Sequence, residues 1–398
     1  VRRPVFIGWS LSSYFGWGVY GLNLSLAWAR DADLQPICTR PIVAEQLSLD
    51  PLRQQAFRPI WADSAGIQAK LAAMADREVA VDAPLLVSLN GAFQPTRPPG
   101  LAILKGQPDI GVTFFETAQL EPKAVERAKA YPAMVAGSTW NAELLRAHGL
   151  AEVRTVLQGV DTSLFRPGPK NGWLGDRFCI FSGGKLERRK GQDIVMAAFR
   201  RFAETRPEAL LVAAWHSQWP QIARSVDQSG LTAPVAFKAD GQLDVPGWAE
   251  ANGVRRDQIL DLGAIPNMAM PQVLAEMDLA VFPNRAEGGT NLVAMEAMAC
   301  GVPTALSANT GHLDLIEEAN CYALTDQAAV DGVGAAFGSI GGWGESSVDQ
   351  LVAAMEQAYR DRDDARRRGE RGAAKLATMS WRETARRMKD LVLSTRPA

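Results

Sequence analysis

Short apolar runs alternate with longer amphipathic or Ala-rich segments along most of this chain, and that alternation restricts the fold more than any other feature. Apolar runs of four to eight residues bounded by turn residues read as buried strands, the segments between them read as helices, and the repeated alternation points to parallel sheets. The strands expected in the first half are 5–8, 85–89, 110–115, 133–136 and 153–157; those in the second half are 178–181, 210–214, 259–262, 279–282 and 304–307. Between the two series lies FRPGPKNGW, residues 165–173, whose prolines and glycines can continue neither a strand nor a helix. With 398 residues the chain can bury two cores, each of about 150–200 residues. An α/β protein follows, with a first domain over residues 1–168, a second over 169–378, and a final helix in 379–398. In that helix Trp381, Met388 and Leu391 are spaced for burial, so it is expected to pack back on the first domain. The Gly-rich segment 338–344 reads as a flexible surface loop.

Composition removes several classes. Hydrophobic residues at 47% and charged residues at 22% are those of a globular protein, not of a disordered or fibrous one. A formal charge of -2 supplies no basic field for nucleic acid. Cys38, Cys179, Cys300 and Cys321 have no CxxC spacing and the three histidines make no ligand cluster, so a reducing compartment and no structural zinc are expected. No apolar run approaches the roughly 18–20 residues that span a bilayer, and the N-terminus has no secretory-signal order. A cytoplasmic protein is expected. The chain begins at Val1, consistent with a piece of a longer protein. Of the eleven tryptophans, Trp9, Trp17, Trp215 and Trp219 lie near loop ends, either as sugar-stacking platforms or as core residues.

Three glycine turns carry the chemistry. The first is EGGTNLVAMEAMACG, residues 287–301, where an apolar strand (279–282) leads through Gly288 and Gly289 into a helix with Thr290 as N-cap. Free N–H groups and the positive dipole end of such a helix favour a phosphate, with Gly289, Thr290 and Asn291 beside it. Glu296 lies about 9 Å down the axis, within reach of sugar hydroxyls next to that phosphate. Without a ligand it is an ordinary solvent-facing residue. The second turn is FCIFSGGKLERRKG, residues 178–191, in which Lys185, Arg188, Arg189 and Lys190 follow two glycines. Two such cations can neutralise a diphosphate without a metal; the alternative is a solvated basic loop. The third, GWGVYG at residues 16–21, matches the dinucleotide GxGxxG only loosely. It follows its strand too late and lacks the acidic partner, so Gly16 and Gly18 read as a phosphate or acceptor loop and not a nicotinamide site. His216 and His312 stand at strand ends as candidate acceptor or sugar contacts. His148, near a helix end, reads as structural.

Taken in order, these segments resemble the retaining glycosyltransferases of family 4, which have the GT-B fold. Residues 287–303 resemble that family's Glu-x7-Glu signature, and residues 182–191 its diphosphate loop. Residues 156–167 resemble its interdomain segment, residues 261–266 the loop whose backbone reads the nucleotide base, and Ser380-Trp381 its closing helix. The resemblance implies two Rossmann-like domains facing across a cleft, with donor bound mainly by the second and acceptor mainly by the first. Carried over by position, Lys185 and Lys190 stabilise the leaving diphosphate, Glu287 contacts the transferred sugar, Glu296 the ribose and Ile265 the base. Eight residues, not seven, separate Glu287 from Glu296. The Thr290-Asn291 pair replaces the usual Phe-Gly. Asn90 stands where many members carry a histidine, and Glu116 is the nearest charged candidate, as an orienting group or as a plain cap.

The expected activity is transfer of a hexosyl-type group from a nucleoside-diphosphate sugar to a hydroxyl acceptor, with retention as the resemblance implies. Glu287, Glu116 and Lys190 are the candidate catalytic residues. No cofactor and no obligatory metal are expected, because Asp31-Ala-Asp33 and Asp361-Arg-Asp363 do not stand at strand ends and the lysines supply the charge. The expected partners are a nucleotide sugar and a saccharide, lipid-linked or protein acceptor, with room for a peripheral membrane contact. Two rivals stand beside this reading: a non-catalytic nucleotide-sugar-binding domain, and a GT-B sugar-nucleotide epimerase or hydrolase.

Overall fold

The computed structural model describes residues 2–96, 100–330, 333–334 (backbone only) and 338–396. The first half runs β1 (Arg3–Ile7), α1 (Gly16–Trp28), β2 (Leu34–Cys38), α2 (Pro51–Ala73), β3 (Glu78–Ala80), β4 (Leu85–Leu89), β5 (Ile103–Lys105) and β6 (Asp109–Thr113). It continues through α3 (Pro122–Lys129), β7 (Ala133–Ala136), α4 (Thr139–Ala147) and β8 (Val153–Thr155). The second half runs β9 (Phe178–Gly183), α5 (Gln192–Ala203), β10 (Ala209–Ala214), α6 (Val245–Ala251), β11 (Ile259–Asp261), α7 (Met270–Leu274) and β12 (Leu279–Phe282). Then come α8 (Leu292–Ala299), β13 (Thr304–Ser307) and β14 (Tyr322–Leu324). Four short strands follow, β15 (Gln327–Ala329), β16 (Val333–Gly334), β17 (Gly338–Ser339) and β18 (Gly344–Ser346), and the described chain closes with α9 (Val348–Arg360), α10 (Arg362–Ala377) and α11 (Trp381–Ser394).

Two six-stranded parallel sheets result, ordered β2-β1-β4-β6-β7-β8 and β11-β10-β9-β12-β13-β14. Every residue of β4, β7, β9, β12 and β13 is buried, as a strand covered by helices on both faces requires. Each sheet accordingly has two cores, one per face. The strand order reverses between β1 and β4 in the first sheet and between β9 and β12 in the second. Open parallel sheets bind ligands outside the carboxyl ends of strands at such reversals. The loops that leave β1, β9 and β12 therefore carry the candidate site.

Within the two six-stranded sheets, two strands escape a reading by apolar runs. β2 contains Pro36, which has no N–H to donate, and it lies on a sheet edge where that loss is tolerated. β14, only three residues long, forms the opposite kind of edge in the second sheet. β9 runs two residues beyond Phe181, so Ser182 and Gly183 belong to the strand and not to the turn.

Helix α11 packs on the first sheet, where Trp381, Ala385, Met388, Leu391 and Val392 share a core with Val5, Ile7, Tyr20 and Trp28. The Trp28 indole N–H donates to the Ala385 carbonyl at 3.2 Å. Gly159 makes the crossing possible: a Cβ there would lie 2.4 Å from the Trp381 nitrogen.

The segment 338–344 corrects the expectation of a flexible surface loop. β15 pairs antiparallel with β18, and Ile340 and Trp343 are buried in a small cluster with Ala286. Glycines permit this by close approach, because a Cβ on Gly341 would lie 2.5 Å from Gln119 and one on Gly342 2.8 Å from the Ala118 side chain.

Candidate functional site

Strand β9 delivers the first loop. Gly183 needs its missing side chain, since a Cβ would sit 2.7 Å from Val293 in the opening turn of α8, and Gly184 takes a φ of 104° that favours glycine. Beyond them Lys185 lies 2.9 Å from Glu187, and a 3-10 turn over Arg188–Lys190 leads into α5. Arg189 is buried and donates to Glu187 at 2.6 Å, to Glu287 at 3.0 Å and to the Ala286 carbonyl at 2.9 Å. Its Nε also lies 3.6 Å from Glu116, which comes from the first domain. Lys190 donates to Glu287 at 2.5 Å.

Glu287 is thus the hub of the cluster. Asn284 adds a hydrogen bond to the same carboxylate, and the Glu287 backbone N–H is held by Thr310 at 2.8 Å. Burial works to raise its pKa, but Lys190 and then Arg189 outweigh it and hold the group at about 2. Glu287 is therefore ionised at any working pH. Desolvation acts the other way on its neighbours, lowering the pKa of Lys190 and raising that of Glu116, a third of whose side chain stays exposed. Lys185, Arg189 and Lys190 are matched by Glu116, Glu187 and Glu287. Three of the four cations that the sequence offers to a diphosphate are thus already paired with carboxylates, while the fourth, Arg188, reaches Gln228 at 3.4 Å.

The Gly288-Gly289 turn also differs from expectation. Both glycines press against the first domain: a Cβ on Gly288 would lie 2.6 Å from the Phe115 carbonyl oxygen, and one on Gly289 2.7 Å from the Gln158 side chain. Ser138, the N-cap of α4, donates to the Gly288 carbonyl at 2.8 Å. Gly289 thus serves the domain contact. Thr290 is not the helix cap; its hydroxyl turns inward toward the Met295 sulfur at 2.9 Å. The extra residue between the two glutamates is absorbed at Asn291, which caps α8 in the left-handed region at φ 60° and offers no side-chain hydrogen bond to the helix. Asn291 instead donates to Nε2 of the fully buried His312 at 3.1 Å, which leaves the ring proton on Nδ1 for Ser307 at 2.9 Å. Desolvation lowers the His312 pKa to about 4.

The first turn of α8 consequently has no side-chain cap and no acidic residue. The same holds for α1, which starts at the exposed Gly16. The nearest atom to a Cβ on Gly16 would be Leu292 Cδ1, 4.0 Å away, so the two helix starts face each other across the cleft. Gly18 does not join them. It is packed on Ser12, where a Cβ would lie 2.5 Å away, and serves the packing of α1.

Glu296 lies buried on α8 with one polar partner, the Asn267 amide at 2.5 Å. Desolvation with no cation beside it pushes its pKa up to about 8, so the carboxyl is largely protonated at neutral pH. Asn267 bridges the domains, donating its backbone N–H to the Ser13 carbonyl at 2.8 Å. Nearby, His216 pairs with Asp261 at 2.9 Å, and Asp261 also accepts from the Gly263 N–H at 3.0 Å. This shapes the loop that contains Ile265, a half-buried residue outside any strand or helix.

Asn90 stays out of the cluster. Its side chain accepts from the backbone of Ala92 and Gln94 and closes a turn. Trp9 and Trp215 are core residues, and Trp17 packs against Phe114. Trp219 remains about half exposed beside Lys185 and Phe15. Sequence reasoning missed Asn284 and Asn267. Asn284 could have been suspected from its place on the same turn, three residues before Glu287, whereas Asn267 reaches Glu296 only through the tertiary fold. Among the described residues no group of three His, Cys, Asp or Glu gathers as a metal site, and no helix is long and apolar enough to cross a membrane.

Residues 267–388 match the family model of family 4 glycosyltransferases in conflict systems. A D-inositol 3-phosphate glycosyltransferase of Catenulispora acidiphila is 28% identical over 181 residues, 42% of this chain and 39% of that protein. A GDP-mannose-dependent α-(1-6)-phosphatidylinositol monomannoside mannosyltransferase of Mycolicibacterium smegmatis is 24% identical over 196 residues, 46% of this chain and 45% of that protein. The chain thus matches less than half the length of these curated relatives. Solved structures match throughout: sucrose-phosphate synthase of Thermosynechococcus elongatus has a TM-score of 0.63 at 18% identity and covers 98% of both chains. Anabaena HepE in complex with UDP has a TM-score of 0.58 at 14% identity, with 99% of this chain and 100% of that one covered. The fold is thus the GT-B fold of these solved structures, and residues 267–388 are similar to the family 4 glycosyltransferases.

Proposed function

We propose that this protein transfers a sugar from a nucleoside-diphosphate sugar to a hydroxyl acceptor, with retention and without a metal. The observation that carries the reading is the convergence, at a strand-order reversal, of the ionised Glu287–Lys190 pair with the uncapped N-terminus of α8. That combination suits a leaving diphosphate. The free N–H groups of α8, with those of α1 opposite, accept the anion, while Lys190 turns part of its charge from Glu287 to the phosphate oxygens as the bond to the sugar breaks. Glu287, relieved of part of its partner, accepts hydroxyls of the transferred sugar. The Glu296 carboxyl, largely protonated at neutral pH, offers both a donor and an acceptor to the vicinal ribose hydroxyls, and the backbone near Ile265 faces the base. A neighbour of the same fold solved with UDP supports a nucleotide in this cleft. Retention rests on the family resemblance. The acceptor is a saccharide, a lipid-linked sugar or a protein, and the four buried free cysteines suit work in a reducing cytoplasm.

One observation favours a second reading, a nucleotide-sugar-binding domain without turnover: the cations of the site are already matched by carboxylates. A panel of nucleotide sugars assayed in EDTA for release of nucleoside diphosphate, with and without a mixed acceptor pool, separates the cases. Acceptor-dependent release that is lost in Glu287→Gln supports transfer. Release without acceptor supports a hydrolase, and binding without release supports the second reading.

A further inference from the structure

Residues 338–346 reach across the cleft. From β17 and the residues that follow, hydrogen bonds join them to the first domain just beyond β6. The Ala118 N–H donates to the Gly341 carbonyl at 2.7 Å. The Trp343 indole N–H donates to the Glu116 carbonyl at 2.5 Å. Ser339 donates to Gln119 at 2.5 Å, and Thr117 lies 3.3 Å from the same hydroxyl.

The other side of this segment is fixed to the second domain at the catalytic cluster. The Gly344 N–H donates to the Arg285 carbonyl at 2.9 Å, and Arg285, with no exposed side-chain surface, joins Glu345 at 2.6 Å and Asp193 at 2.7 Å. The Arg285 N–H in turn donates to the Arg189 carbonyl at 2.7 Å. Trp343 packs on Ala286, the residue before Glu287. A single line of contacts therefore runs from the Trp343 indole to Glu116, from Glu116 to Arg189 at 3.6 Å, and from Arg189 to Glu287 at 3.0 Å.

We propose that residues 338–346 form a cross-cleft strap and that Trp343 is a positioning residue, which holds Glu116 of the first domain beside the Arg189–Glu287 pair of the second. Local packing alone does not require this arrangement. Gly341 and Gly342 leave no room for side chains against Gln119 and Ala118, so this part of the strap is shaped to lie close on the first domain. Glu116 meets the second domain through its carboxylate at Arg189 and through its backbone carbonyl at the Trp343 indole. Fixing its backbone thus fixes where its carboxylate enters the site. The role assigned to Glu116 rests on the glycosyltransferase reading, whereas the strap itself does not.

The test uses two variants of the full chain. Trp343→Phe keeps an aromatic ring in the cluster, though a smaller one, and removes the indole N–H; Ser339→Ala cuts the rim contacts and leaves the buried cluster intact. Hydrogen exchange at residues 116–119 is expected to quicken at least tenfold in both, with β9 and β12 unchanged. Unaltered exchange at 116–119 in both would overturn the strap, whether or not the protein is active. With a donor that is turned over, kcat is expected to fall about tenfold in Trp343→Phe while the donor dissociation constant stays within twofold. An unchanged kcat, or a loss wholly in donor affinity, would overturn the positioning role. Should the wild type turn over no donor, the glycosyltransferase reading fails, the role of Glu116 fails with it, and the exchange result still decides the strap.

Discussion

Glu287 and Glu296 sit on one helix-and-turn unit and are treated in opposite ways. The first is surrounded by Lys190, Arg189 and Asn284; the second, among the described residues, accepts a side-chain hydrogen bond from Asn267 alone. Breaking a buried ion pair by removing one partner costs about 3–5 kcal/mol, so Lys190→Ala and Glu287→Gln are both expected to destabilise the second domain and to lose turnover by 100-fold or more, the latter because a glutamine NH2 cannot accept from Lys190, Arg189 or Asn284 as the carboxylate does. A melt and a turnover assay on the pair check this. Glu296 predicts a pH effect whose sign follows from its raised pKa. Between about pH 4.5 and 8 the folded state holds a proton that the unfolded state has released, so stability falls as pH rises through that window. Glu296→Gln removes the titration. Its melting temperature should gain on the wild type steadily from pH 5 to pH 8, at roughly 1.4 kcal/mol per unit at most. A constant difference between the two proteins across that range would contradict the buried, uncompensated carboxyl.

At the scale of elements, the turn from β12 to α8 is a domain contact. Gly288→Ala should force the turn off the Phe115 carbonyl by several tenths of an ångström. The expected outcome is a loss of activity with the second-domain fold retained, seen as a more open particle in small-angle scattering; an unchanged scattering profile with full activity would refute it. Much of this level was legible in the chain. Strands β4, β7, β12 and β13 are bounded by their apolar runs, because a strand buried on both faces has to be apolar throughout. What was not legible depended on partners distant in sequence. Nothing local in GGWG marks it as a strap, since its packing against residues 116–119 is tertiary. Thr290 looked like a cap because the one-residue insertion is absorbed by a left-handed Asn291, and asparagine tolerates that conformation without announcing it. The pairing of the cations was legible only in part: Glu187 lies in the same loop, whereas Glu116 and Glu287 come from other segments.

For the whole molecule, three buried groups set the pH range of the fold. His312, lowered to about 4, loses stability as pH falls from 6.5 toward 4; Glu287, held at about 2, loses it below 4.5; Glu296 loses it as pH rises from 4.5 to 8. The His312 and Glu296 effects oppose each other between about pH 4.5 and 6.5. A melting profile with its plateau there and a decline on both sides is expected, and a maximum above pH 8 would count against it. The central claim is that the cleft between the two sheets holds a nucleoside diphosphate, and calorimetric melting in EDTA with UDP, GDP, ADP, dTDP and NAD, on wild type and Glu296→Ala, tests it most directly. One diphosphate in large excess over its dissociation constant should add about 2–4 kcal/mol of apparent stability, NAD should add none, and the gain should vanish in the variant. No gain with any diphosphate, or an equal gain in Glu296→Ala, would contradict the account.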